Sequence, residues 1–297
     1  MPSPRIMSAC YFEEAGSGTP IIFLHEFAAD HTNWEPQMRY FSRGHRCIAY
    51  SARGYTPSDV PPSAEVYTYK HFYTDALAVL DHLEIAKAHF VGLSMGSYSS
   101  LQIGLNAPER ALSMTLAAVG SGSNLENLDA FRAQCRANAE QYETIGSVEV
   151  AKATREAPSR IPFLLKDPRG HADFYAALAR HDAKGSANTM RSFQGGRPSI
   201  YTMTEAIRKV PTPALILCGD EDDNCIEPEP VPEEASAGGG TFVLPEVRPR
   251  AQSRGAGAVQ RDGRAVHRAG GGRTLAGAGS EVDGVPSFRV RASRARI

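Results

Sequence analysis

Four things are scarce in this chain, and each scarcity removes a class of function. The formal net charge is only −1, with 32 Lys and Arg against 33 Asp and Glu. No single-sign field therefore points to nucleic acid or to an anionic membrane. No apolar run reaches membrane-spanning length, and the N-terminus lacks an apolar stretch followed by a cleavage site. The five cysteines, Cys10, Cys47, Cys135, Cys218 and Cys225, are scattered. None has metal-ligand spacing and no secreted-type disulfide framework emerges, so a cytoplasmic location is expected, and Cys47 and Cys218 read as small core residues. No internal repeat, nucleotide loop or dinucleotide fingerprint appears, and Gly238-Gly239-Gly240 precedes a strand rather than a helix. No cofactor and no metal is implied. The expected partner is a small molecule, with oligomeric state left open.

Short apolar runs alternate with helical patterns. Ser8 to Ala15 reads as an edge strand. Pro20 to Leu24 is continuously apolar, as in a strand buried on both faces of a parallel sheet. Arg46 to Tyr50, His89 to Leu93, Ala111 to Val119, Thr212 to Gly219 and Thr241 to Pro245 are further strands. Trp34 to Phe41 and Tyr69 to Leu83 have helical spacing, with Phe72, Ala76, Leu80 and Leu83 inward. This rhythm gives βαβ units and an α/β fold: a mostly parallel sheet flanked by helices. From Gly120 to about Lys209 no strand pattern occurs, and the segment reads as an inserted helical lid. Its Phe163, Leu164, Leu165, Phe174, Tyr175, Phe193 and Tyr201 either face a substrate or form the lid's own core. The expected organisation is a core over 8–120, a lid over 121–209, a second core segment over 210–245 and a tail over 246–297.

The chemistry centres on Gly92-Leu93-Ser94-Met95-Gly96, set between an apolar strand and a helical run. Small residues two before and two after the serine let the backbone turn sharply from strand to helix. The pentapeptide alone is weak, arising by chance in roughly one chain of this length in five to ten; its strand-then-helix setting carries the weight. His25 follows the first apolar strand, Arg53-Gly54 the next, and the acidic run Asp220-Glu221-Asp222-Asp223 follows Gly219.

With these four features in this order, the chain from about Tyr11 to Pro245 resembles an α/β-hydrolase of the serine esterase and lactonase kind. The resemblance implies Ser94 as nucleophile and Asp222 as the triad acid, with Asp220 and Asp223 as alternatives. It implies the backbone amides of Met95 and Phe27 as the oxyanion hole, and His25, Gly92 and Gly96 as structural parts of the motif. Glu26 stands where many members carry glycine. The implied reaction is hydrolysis of a small or medium ester, lactone or related activated carbonyl compound. A catalytically inactive hydrolase-fold binding protein is the alternative, because the histidine expected after Leu244 is missing.

After Pro245 lysine disappears, arginine becomes dense and aliphatic residues thin out, so the tail reads as irregular or disordered. It also reads as frameshifted. In GC-rich codons, deleting one G after Pro245 lets the shifted frame give Lys-Ser-Gly-His-Ala-Leu-Asn-Leu-Glu-Glu-Pro, the expected histidine loop. His267, the one histidine that remains there, is a weak substitute base.

Overall fold

In a computed structural model, the structure describes residues 9–219, 225, 240–244 and 291–296. Among the described residues, eight strands form one sheet in the order β7-β6-β5-β4-β2-β3-β1-β8. They are β1 (Ala9–Ala15), β2 (Thr19–Leu24), β3 (His45–Tyr50), β4 (Ala88–Leu93), β5 (Ala111–Ala117), β6 (Ala214–Gly219), β7 (Gly240–Leu244) and β8 (Arg291–Arg296). The six strands from β3 to β7 in this order are mutually parallel, while β1 pairs antiparallel with β3.

The continuous apolar runs have their expected cause. Side chains alternate across a strand, so a strand covered on both faces must be apolar throughout. Ile22 and Leu24 of β2 join Ile48 and Tyr50 of β3 on one face. Ile21 and Phe23 join Cys47 and Ala49 on the other. The first face is covered by α2 (Tyr69–His82), through Phe72, Ala76, Val79 and Leu80, and by α3 (Met95–Asn106). The second is covered by α1 (Glu35–Phe41), with Met38 and Phe41, and by Trp34 just before it. Cys47 is buried as expected, and Cys218 is half-buried.

Between β5 and β6 the chain is helical. α4 (Leu128–Thr154) contains a break at Gly146, whose φ of 76° interrupts the helix. α5 (Ile161–Lys166), α6 (Pro168–Arg180), α7 (Ala183–Asn188), a π-helical turn over Thr189–Gln194 and α8 (Thr204–Ile207) follow.

One stretch departs from the pattern-based reading. The tail reads as irregular, yet Arg291–Arg296 forms β8, antiparallel to β1 from Ala9↔Arg296 to Glu14↔Arg291. The edge of β1 offers unpaired backbone groups, and pairing with them demands no particular side chain. The rest of the tail, including His267 and the proposed frameshift, lies outside the described residues.

Arg53 and Asp75 tie the loop after β3 to α2. Both are buried, and the guanidinium grips the carboxylate with two nitrogens, Nε donating to Oδ2 at 2.6 Å and Nη2 to Oδ1. Arg53 Nη1 donates to the Val66 carbonyl at 3.0 Å. Removing one partner strands a buried charge, whereas removing both does not. Arg53→Met should therefore lower unfolding free energy in urea by about 3–5 kcal/mol. The double variant Arg53→Met with Asp75→Leu should recover most of that loss.

Candidate active site

Parallel strands deliver their carboxyl ends to one edge of the sheet. β2, β4, β5 and β6 bring their last residues, Leu24, Leu93, Ala117 and Gly219, there together. Ser94 sits between β4 and α3 with φ 51° and ψ −108°, a conformation that L-residues rarely adopt and that costs about 1–3 kcal/mol. Neighbours over-determine it. The Ser94 N–H donates to the Ala117 carbonyl at 2.8 Å, and the Ser94 carbonyl accepts from Tyr98 N–H at 3.0 Å. The Ser97 hydroxyl also donates to the Ala117 carbonyl, at 2.6 Å.

The two glycines make this turn possible. A Cβ on Gly92 would collide with the backbone of Gly96, and a Cβ on Gly96 would collide with the Leu24 carbonyl. The first turn of α3 thus packs directly on the backbone end of β2. Ser94 is half-buried at the N-terminus of a twelve-residue helix. The first amides of a helix have no partner within it, so the Met95 N–H stands at the positive end of the dipole.

The loop after β2 is held by His25. The ring is buried, its Nδ1 donates to the Glu26 carbonyl at 2.7 Å, and its Nε2 accepts from the Ala52 N–H at 3.0 Å. Both nitrogens are therefore committed, and burial holds the imidazole neutral, down at about 4, despite the Glu26 carbonyl. Burial likewise pushes the Glu26 carboxyl up, against the pull of the Arg160 guanidinium and of His25. Phe27 is half-buried, with its ring edge-on to Tyr55 and to Tyr142 of α4 at 5.9 Å. Tyr55 in turn packs edge-on to His25 at 4.7 Å, and its hydroxyl lies 3.9 Å from the Met95 sulfur.

Some residues of this edge carry no signal in the sequence. Asp30 lies 3.6 Å from His181 Nε2 at the end of α6, both buried. Burial raises the Asp30 carboxyl, but the nearby His181 imidazole and the two hydrogen bonds from Thr32 outweigh it and hold it well below the usual range. Ala118, the residue after β5, has φ 54° and donates its N–H to the Leu217 carbonyl at 2.8 Å. A non-glycine residue in that region gives no compositional warning. Among the described residues no cluster of His, Cys, Asp and Glu could hold a metal ion.

Residues 19–229 match the family model described as the alpha/beta hydrolase fold. The chain belongs to the alpha/beta hydrolase fold family. It is 29% identical to 3-oxoadipate enol-lactonase 1 of Acinetobacter baylyi over 202 residues, covering 68% of this chain and 71% of that one. Among solved structures it resembles a hydrolase from Pseudomonas aeruginosa PA01, with TM-score 0.74 and 21% identity over 88% of this chain and 94% of that one. It also resembles a thermophilic esterase from Thermogutta terrifontis, with TM-score 0.73 and 22% identity over 90% and 97%.

Within this alpha/beta hydrolase frame, Ser94, Met95, His25 and Phe27 lie at one edge of the sheet. Asp222 and its alternatives Asp220 and Asp223 lie outside the described residues. Cys225 is described, and its carbonyl would come within 3.0 Å of a Cβ on Gly120, so Cys225 lies beside the loop after β5. The aromatics of the helical insertion divide. Phe163, Phe174 and Tyr175 pack with Ala28 and Ala29 of the β2 loop, and Phe193 is buried between Phe72 and Tyr98. Leu165 is 73% exposed, and Leu164 and Tyr201 are half-buried or nearly so. No helix among the described residues is long and apolar enough to cross a membrane.

His25 generates a pH dependence. Its ordinary value of 6.5 falls to about 4 on folding, so between those limits the unfolded chain binds a proton that the folded chain refuses. Stability from this residue is complete above pH 6.5 and is lost as pH falls toward 4, by about 3 kcal/mol in all. Asp75 acts oppositely: burial, opposed by Arg53, raises it from 3.8 to about 6, so its contribution fades as pH rises through that window. The difference in unfolding free energy between the unmodified chain and His25→Gln, followed from pH 8 to 4, should therefore shrink on acidification.

Proposed function

We propose that the chain is a serine hydrolase acting on a small or medium ester, lactone or related activated carbonyl compound. One observation carries the reading: Ser94 stands on a strained strand-to-helix turn at the amino end of α3, with the Met95 amide beside it. A carbonyl carbon attacked there would develop its negative charge at the positive end of a helix. Ser94 Oγ forms the acyl bond, and the Met95 and Phe27 amides receive the oxyanion. The leaving oxygen departs with the proton taken from Ser94, and water then releases the acid. Asp222, or Asp220 or Asp223, orients the histidine that moves the proton. The lactone branch draws support from the enol-lactonase relative.

The same reading assigns residues 121–209 as a lid over a core made of 8–120 and 210–245, with 246–297 as the tail, and places the protein in the cytoplasm. It needs no cofactor. The required histidine is supplied by the frame-corrected tail, since His25 is already committed at both nitrogens. That commitment also favours the second reading for the chain as written, a hydrolase-fold protein that binds without turning over.

Hydrolysis of a p-nitrophenyl acyl ester separates the two. The frame-corrected chain should turn the ester over on the order of 10⁶ times faster than the chain as written, the scale of losing a triad base. Ser94→Ala in the corrected chain should remove that gain. Equal rates in the corrected chain with and without Ser94 would exclude the serine reading.

A further inference from the structure

We propose that Asp30 and His181 are positioning residues. Their buried contact is a latch by which the helical insertion holds the loop after β2, and with it the Phe27 amide, in place. This role rests on the hydrolase reading of Ser94, since what the latch accomplishes is to aim that amide at an oxyanion.

His25 anchors the start of the loop, with Nε2 accepting from the Ala52 N–H at 3.0 Å. Asp30 closes its far end. Asp30 Oδ1 accepts from the Thr32 N–H at 2.8 Å and from the Thr32 hydroxyl, which caps the turn over His31–Trp34. That cap uses one carboxylate oxygen. The other, Oδ2, lies 3.6 Å from His181 Nε2. Both residues are buried, and neither ring nitrogen of His181 makes a hydrogen bond. The Asp30 carboxyl, held well below the usual range, is ionised at neutral pH. A buried charge and a buried imidazole are each costly alone, and they offset one another only while loop and insertion stay in contact.

Each side of the contact is itself held. His181 stands at the corner between α6 and α7, where its N–H donates to the Leu178 carbonyl at 3.1 Å. Asp182 caps α7 by accepting from the Gly185 N–H at 2.9 Å. A Cβ on Gly185 would strike the Gly54 carbonyl, so α7 rests directly on the loop after β3. The His181 ring also packs edge-on to Tyr55, at 5.2 Å. On the other side, the Ala29 N–H donates to the Glu26 carbonyl at 3.2 Å, which makes a tight turn of Phe27 and Ala28. Ala28 and Ala29 pack on Phe163, Phe174 and Tyr175, and the Phe27 ring meets Tyr142 of α4. The turn that carries the Phe27 amide is therefore covered by the insertion and tied to it at the next polar residue. Oxyanion donors act only if they are fixed before the charge develops, and small displacements cost rate.

Amide hydrogen exchange, followed by mass spectrometry on the full chain, reads the latch without turnover. Asp30→Asn is the informative substitution, because asparagine keeps the cap on Thr32 and removes the charge facing His181. It should speed exchange across 26–32 about tenfold, His181→Gln should do the same, and the two together should do no more than either alone. Peptides of α2 should exchange as before, which separates a loosened loop from general unfolding. Unchanged exchange across 26–32 in both single variants, or effects that multiply in the double variant, would overturn the latch. Ester hydrolysis by the frame-corrected chain then reads the aim of the loop. Asp30→Asn should lower kcat about tenfold and leave KM within about twofold, as loss of a contact made only in the transition state does. A loosened loop with kcat unchanged would overturn the positioning role. The two readings fail separately. Turnover that ignores Ser94 removes the hydrolase reading and the aim ascribed to the latch, while exchange still decides the latch itself. A Ser94-dependent enzyme whose loop ignores both substitutions removes only the latch.

Discussion

The first turn of α3 lies on the bare backbone at the end of β2, and much else at the carboxyl edge follows from that approach. Gly96 allows it, because a Cβ there would strike the Leu24 carbonyl; Gly92 allows the turn itself, because a Cβ there would strike Gly96. The chain must then pass through Ser94 with a positive φ, and hydrogen bonds to Ala117 and from Tyr98 hold it there. The strain is local and the restraints come from β5 and α3, so a stable scaffold fixes an otherwise unfavourable serine. The same approach sets the helix dipole behind Met95 and sets β2's following loop, with His25 and Phe27, beside the serine.

Around this contact the molecule commits its polar groups to structure. His25 spends both nitrogens joining the loops after β2 and β3. Arg53 and Asp75 close the loop after β3 onto α2. Asp30 and His181 join the β2 loop to the helical insertion.

Much of this was legible in the sequence because it is written in local pattern. Buried strands must be apolar on both faces, and β2 to β6 were found that way. A strand-to-helix turn around a serine needs small residues on either side, and Gly92 and Gly96 gave it away. What could not be read depends on partners far apart in the chain. Nothing near Asp30 announces His181. The positive φ of Ala118 leaves no mark in composition. Phe163, Phe174, Tyr175 and Phe193 were ambiguous because an aromatic stripe looks the same whether it lines a cavity or fills a core; in the fold they pack against the β2 loop or between Phe72 and Tyr98. The pairing of β8 with β1 was equally invisible, since edge pairing is made by backbone groups.

The central claim is that this backbone contact presents Ser94 as a reactive nucleophile. Mass spectrometry of the frame-corrected chain after treatment with a fluorophosphonate measures it directly. The account predicts a single adduct on the peptide containing Ser94. An unmodified Ser94 in a folded sample, or an adduct confined to another serine, would contradict it.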